Sequence, residues 1–364
     1  MGVGDFVSSR LARDYALRFN VTVAILVLCI PHNAHAAGNV VEVRNPFAER
    51  PIESKTMKLT ENLRIGGNTD DEFFFSRVGD VGVDRAGLVY VVENSQSKVL
   101  VFDKEGSFID DFGRPGEGPG DFTLPFAIAF DDEGFTYVAD QQRISVFDSA
   151  RTFVRSFSHA IAGGIINGMV IDRQRCVFIS CFEVFEQQII HKYSNDGKLL
   201  TSFCDSYAAG TDEDIRIEQT YAGGPIDIDD DGAIWFSQRT PYEIRKYSGA
   251  GETLMTIQRD NGFVRPPVVV RHGDAWEFNM GTASYGFGIL SDGTMINSVS
   301  IAHADRKNYP WPSFVDVFDK SGNLLGSIGL DPVTIFCCAD QSDYLYFLRY
   351  GRENQEVVRF RFVR

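Results

Sequence analysis

At 364 residues the chain is long enough for one large all-β domain or two ordinary domains. Its 34 glycines and 30 phenylalanines, with almost no Ala-Leu-Glu patterning, leave little room for helices. A formal charge of −15 repels phosphate backbones and argues against a nucleic-acid partner.

Residues 1–36 have the layout of an export signal. Arg10, Arg13 and Arg18 precede the apolar run from Val21 to Ile30, and Ala34-His35-Ala36 supplies an Ala-x-Ala cleavage site. The run falls short of the roughly 20 residues that span a bilayer, so no transmembrane segment is expected in the mature chain. Val27-Leu28 before Cys29 lacks the small residues of a lipobox. The mature protein is therefore expected in the periplasm or outside the cell, beginning near Ala37. Residues 37–55, with Pro46 and Pro51, read as a linker.

Beyond the linker the chain repeats. A tight-turn signature occurs at Asp84-Arg85-Ala86-Gly87, Asp131 to Gly134, Asp172 to Arg175 and Asp229 to Gly232. Degenerate copies stand at Ser291-Asp292-Gly293 and at Asp340 to Asp343. Each precedes a third-strand signature such as Val101-Phe102-Asp103 or Lys246-Tyr247-Ser248. Between Phe112 and Asp148 the strands are apolar at nearly every position, as in sheets buried on both faces. Six small sheets are expected near 78–112, 125–158, 165–204, 224–258, 284–329 and 333–363. The sixth stops at Val363-Arg364 without an outer strand, whereas 56–66 (TMKLTENLRIG) has an outer strand's alternation and glycine exit. Pairing 56–66 with 355–363 would complete the last sheet and leave no open edge. The expected fold class is all-β, a six-bladed β-propeller over 56–364 closed by its N-terminal strand.

The clearest copy, Phe112 to Asp148, reads FGRPGEGPGDFTLPFAIAFDDEGFTYVADQQRISVFD. Gly113, Gly116, Gly118, Pro119 and Gly120 make a long turn that no helix or strand tolerates. Asp140 and Arg143 flank the next turn, where they read as a structural lock. Gly113, Gly116, Gly118, Pro119, Asp140 and Arg143, together with Phe122, Pro125, Asp131, Gly134, Tyr137, Val138, Ile144 and Phe147, resemble the NHL repeat of six-bladed propellers. Exported bacterial proteins of the six-bladed propeller type look similar over nearly the whole mature length. Such a resemblance implies fold more than function. NHL-type peptide-amidating lyases hold zinc with histidines at the propeller centre. His159, His191, His272 and His303 share no repeat position here, so that activity is not carried over.

Chemical motifs are sparse. Asp227-Ile228-Asp229-Asp230-Asp231-Gly232 satisfies the start of a calcium loop, making Asp227, Asp229 and Asp231 the candidate metal ligands. Its twelfth position is Gln238 rather than glutamate, and the repeat register assigns the stretch to a strand and its turn. Calcium is thus the one candidate cofactor, and no other is identified. Five mature cysteines (Cys176, Cys181, Cys204, Cys337 and Cys338) cannot all pair internally and match no zinc spacing. They read as small buried hydrophobes, with one bridge in the third blade left open.

Departures between repeats carry more information, because insertions gather on one face. The stretch AHADRKNYPWP in the fifth unit holds Tyr309 and Trp311 between prolines, with Arg306 beside them. Trp276 and Tyr285 lie just upstream. Amphipathic aromatics on a stiff loop suit recognition. The expectation is an exported binding or scaffold module for a protein, peptide or glycan, acting through loops on one face. The alternative is a metal-dependent propeller hydrolase, lactonase or lyase with its site in the central channel.

Overall fold

The computed structural model describes residues 40–45, 56–66, 74–159, 165–182, 188–206, 223–259, 268–272, 275–279, 282–301, 313–330, 333–351 and 354–364. All belong to one compact unit, Asn39–Arg364. Among them no helix is long and apolar enough to cross a membrane.

Each blade is an antiparallel meander, and its local chemistry explains why. Asp84, Asp131, Asp172, Asp229 and Asp340 open the turn between first and second strands. In every case one carboxylate oxygen accepts the N–H groups two and four residues ahead, as Asp131 Oδ1 does from Glu133 (3.0 Å) and Phe135 (2.9 Å). This aspartate-capped turn fixes the hairpin register. A second set, on Asp103, Asp148, Ser248 and Asp319, does the same between third and fourth strands. In the fifth blade the turn opens on Leu290, one residue earlier than its sequence signature suggested, with Leu290 N donating to Thr294 O.

Four-stranded sheets run through Val78–Phe112, Ala127–Ser158, Ile165–Asp205, Ile226–Arg259 and Thr282–Leu330, forming blades one to five. Blade six comprises Thr334–Ala339, Tyr344–Tyr350 and Gln355–Val363, with Lys58–Ile65 as its outer strand. Lys58 pairs with Val363 and Ile65 with Val357, antiparallel throughout. The N-terminal strand therefore closes the propeller.

The first strand of every blade packs against the first strands of both neighbouring blades, so that six inner strands form a ring. Between successive blades lie six buried apolar clusters, one per junction. The one between blades one and two contains Tyr90, Phe112, Phe122, Val138 and Phe147, with the Phe112 and Phe147 rings 4.7 Å apart. Each large side chain so buried contributes about 1.5–3 kcal/mol, and the blades' two apolar faces are thereby both used.

Two elements go beyond the sequence reading. Val41–Asn45, inside the expected linker, adds a fifth strand to blade four, parallel to Thr253–Arg259. Asn45 fastens it, donating from Nδ2 to Gly322 O (2.9 Å) and accepting from Leu324 N (2.6 Å) of blade five. A separate hairpin, Val268–His272 with Ala275–Asn279, lies in sequence between blades four and five. Cys176, Cys181, Cys204, Cys337 and Cys338 are all free, so the third-blade bridge is not formed.

Candidate functional site at the channel mouth

Antiparallel alternation sorts the connections by rim. The aspartate-capped turns lie at one rim; the opposite rim carries the ends of the second strands and the starts of the inner strands. The glycine-rich loop of blade two is held there by the residues read as a lock. Asp140 accepts from Thr123 N (2.8 Å) and Leu124 N (2.6 Å), while Arg143 donates to the carbonyls of Glu117, Gly118 and Asp121. The pair thus clamps the loop, with each residue making its own backbone bonds.

A cavity of about 310 Å³ runs between the inner strands, with walls from all six blades. Two carboxylates line it, and each crosses to the unpaired edge of the next blade. Asp80 of blade one accepts from Val81 N (2.8 Å) and Ile128 N of blade two (3.0 Å). Asp227 of blade four accepts from Ile228 N and Ile289 N of blade five, both at 2.8 Å. Half-buried in the channel wall, both carboxylates hold their protons more tightly than usual. Burial pushes Asp80 up to about 7 and Asp227 to about 6, the backbone bonds offsetting part of the rise. Cys337 and Cys338 face the same space, and burial with these acids nearby raises both thiols. Raised in this way, both favour the neutral thiol form.

At the rim opposite the capped turns, side chains from four blades meet. Two arrive through β-bulges. Between Ile166 and Gly168 the inner strand of blade three carries an extra residue, Asn167. Between Ser284 and Gly286 that of blade five carries Tyr285. A bulge leaves its extra residue out of the ladder and re-aims the side chain. Both stand five residues before the opening of their blade's turn, Asp172 and Leu290. Gly286 must follow Tyr285, because a Cβ there would sit 1.9 Å from Phe336 O of blade six. The other two come from second-strand ends, Arg239 of blade four and Tyr350 of blade six, each ten residues after its turn aspartate, Asp229 and Asp340.

Arg239 Nη2 donates to Asn167 Oδ1 at 2.7 Å, and the guanidinium lies 5.8 Å from the Tyr285 ring centre. The Arg239 carbonyl accepts from Ser284 N (2.8 Å), which ties this corner to the bulge. Tyr350 is 40% exposed. Its phenol is pushed up to about 12 by burial of the ring, with Cys337 and Tyr285 adding to the rise and Arg239 opposing it. It is thus a hydrogen-bond donor at neutral pH.

The candidates read from sequence fall differently. Tyr285 belongs to this mouth. Trp276 lies on the separate hairpin strand Ala275–Asn279. Arg306, Tyr309 and Trp311 lie outside the described residues. The aspartates of the calcium-like motif are not gathered. Asp227 points into the channel wall. Asp229 takes the turn N–H groups, Trp235 Nε1 (2.9 Å) and Lys246 Nζ (2.8 Å), and Asp231 is exposed on the turn. Among the described residues no three or more His, Cys, Asp or Glu side chains are grouped to hold a metal ion. The strand ends at Ile228, so Asp227 stays on the channel side while Asp229 is drawn into capping the turn. His159 is buried with Nε2 2.8 Å from Asp140 O, and His191 Nδ1 is 2.8 Å from Ser202 Oγ; neither lines the channel cavity. Asn167, Arg239, Tyr350 and Asp80 were missed. Aligning the repeats on their turn aspartates places Arg239 with Tyr350, the signal that was available.

No curated protein matches the sequence. Among solved structures the fold is similar to a member of the DUF4221 family from Bacteroides vulgatus, at 8% identity and TM-score 0.59, covering 84% of this chain and 98% of that one. A putative exported protein from Bacteroides fragilis has 9% identity and TM-score 0.59, over 89% of this chain and 100% of its own. A streptogramin B lyase is similar at 10% identity and TM-score 0.51, over 84% and 98%. At such identities the likeness is one of fold alone. Residues 53–221 match the family model DUF5128, described as 6-bladed beta-propeller, and the chain is a six-bladed β-propeller.

Proposed function

We propose that the protein is an exported binding module, recognising a protein, peptide or glycan through the rim opposite its aspartate-capped turns. One observation carries the reading: Asn167, Arg239, Tyr285 and Tyr350, from four consecutive blades, converge at the channel mouth on that rim. A guanidinium set among aromatic rings is the composition of interface anchors. Arg306, Tyr309 and Trp311 belong to the connection between Met295–Ile301 and Ser313–Phe318, whose ends face this rim, and Trp276 lies in sequence between blades four and five; the proposal includes them as further contacts. Export follows from the N-terminal signal features and accords with the exported character given to the B. fragilis neighbour.

The test is affinity capture from an envelope extract on immobilised mature protein, comparing wild type with Tyr285→Ala and Trp311→Ala. Loss of an aromatic anchor costs about 2 kcal/mol, or roughly thirty-fold in affinity. Partners held by wild type should be depleted from both folded variants. Equal recovery on all three proteins would remove the proposal.

A further inference from the structure

We infer that Cys337 and Cys338 form a dithiol site on the channel wall that chelates a trivalent arsenic centre, as arsenite or as an organic arsenical. The site does not depend on the rim contacts proposed above. Neighbouring residues of a regular strand point to opposite faces, and these two do not. Cys337 is the extra residue of a bulge between Phe336 and Cys338. Both side chains line the cavity of about 310 Å³ and pack against the same apolar cluster, at the junction with blade one. In blades one, three and five the bulged residue, Gly79, Asn167 or Tyr285, stands five places before the turn opens. In blade six it stands three places before Asp340, farther from the mouth.

The pair is reachable from the channel and poorly placed to close on itself. Both residues are half-buried and free. The trans peptide bond joining them holds their Cα atoms about 3.8 Å apart, short of the roughly 4.4–6.8 Å that a disulfide spans. Among the described residues no third His, Cys, Asp or Glu side chain joins them to hold a metal ion, which leaves a four-coordinate ion such as zinc short of ligands. Asp80 acts on both thiols and Asp227 on Cys338, each raising them beyond the effect of burial. A product carrying negative charge, such as a copper(I) bis-thiolate, is therefore disfavoured here. Trivalent arsenic meets neither obstacle. Two S–H bonds and two As–OH bonds break, two As–S bonds form, and two waters leave. Arsenic stays trivalent, keeps its third substituent, and the product is neutral. Cys337 Sγ gives up only its weak bond to Ile335 O (3.6 Å).

Binding of arsenite and of phenylarsine oxide to the purified protein is measured by native mass spectrometry, with thermal unfolding in parallel. One arsenical should bind per folded chain, come off with dimercaptopropanol, and resist a monothiol at the same thiol concentration. Cys337→Ser and Cys338→Ser should each weaken binding roughly a hundredfold or more, since the second As–S bond then loses its intramolecular advantage. Cys176→Ser should leave it unchanged. Adjacent cysteines also react in an unfolded chain, so the wild-type melting temperature decides which state is bound, and it needs no variant to fold. Binding at the folded site raises that temperature, whereas reaction of the unfolded chain lowers it. Arsenite bound in this way assigns the inorganic ion, and phenylarsine oxide alone assigns the organic form. Binding of neither probe, a melting temperature that falls or does not move, or adducts that survive both serine substitutions in folded protein would each overturn the inference.

Discussion

A carboxylate walled into a narrow channel is costly to ionise, and Asp80 and Asp227 show the consequence. Both titrate above the ordinary aspartate value of 3.8, near 7 and near 6. Between the ordinary value and its own, each binds a proton in the folded chain that the unfolded chain has released. The stability this supplies is present at low pH and is lost as pH rises through about 6 for Asp227 and about 7 for Asp80. Replacing Asp80 by Asn removes its share of the pH dependence. The melting temperature of wild type minus that of Asp80→Asn should therefore fall as pH is raised from about 5 to about 8. A difference that stays flat, or rises, would show that burial does not govern this carboxylate.

Among the elements, the capped turn is the repeating device, and its aspartate reaches further than the turn. In four of the five the second oxygen accepts from an aromatic donor six residues on, Tyr90 (3.2 Å), Tyr137 (3.1 Å), Trp235 (2.9 Å) and Tyr346 (3.4 Å), while Asp172, with Phe178 at that place, faces Lys192 Nζ at 3.7 Å. In blade five the aspartate is replaced by Leu290, and the residue six further on is Ile296; donor and acceptor have been exchanged together for an apolar pair. Removing one partner alone leaves buried groups unsatisfied. Asp131→Ala strands two turn N–H groups and takes one partner each from the Tyr137 hydroxyl and from the Arg175 guanidinium, 2.9 Å away. It should cost about 2–3 kcal/mol in urea unfolding, against under about 1 kcal/mol for its exposed neighbour Asp132, paired with Arg85. Comparable losses from the two substitutions would contradict this account. Local chemistry of this kind is what sequence displays, which is why the turns and blades were readable. The bulges at Asn167 and Tyr285 were not, because an extra residue exists only relative to the partner strand. Nor was the Val41–Asn45 strand, whose parallel partner lies over two hundred residues away. The calcium-like run is divided by the end of its strand: Asp227 lies on Ile226–Ile228 and lines the channel, whereas Asp229 to Asp231 form the turn beyond it.

For the whole molecule, stability and site depend on one ring. Six apolar clusters hold the blades face to face, and each is complete only if both neighbours are in place. The sixth blade depends on Lys58–Ile65, which shares Leu63 and Ile65 with the cluster against blade one and Leu59, with Met57 just ahead of it, with the cluster against blade five. Four of the ring's blades build the mouth, so closure fixes the spacing of Asn167, Arg239, Tyr285 and Tyr350. Native-state hydrogen exchange tests this closure most directly. The amides of 58–65 that pair with 357–363 should exchange as slowly as those of their partner strand, through global unfolding only. Rapid exchange across 58–65 with protection retained in 355–363 would show an open ring and contradict the account.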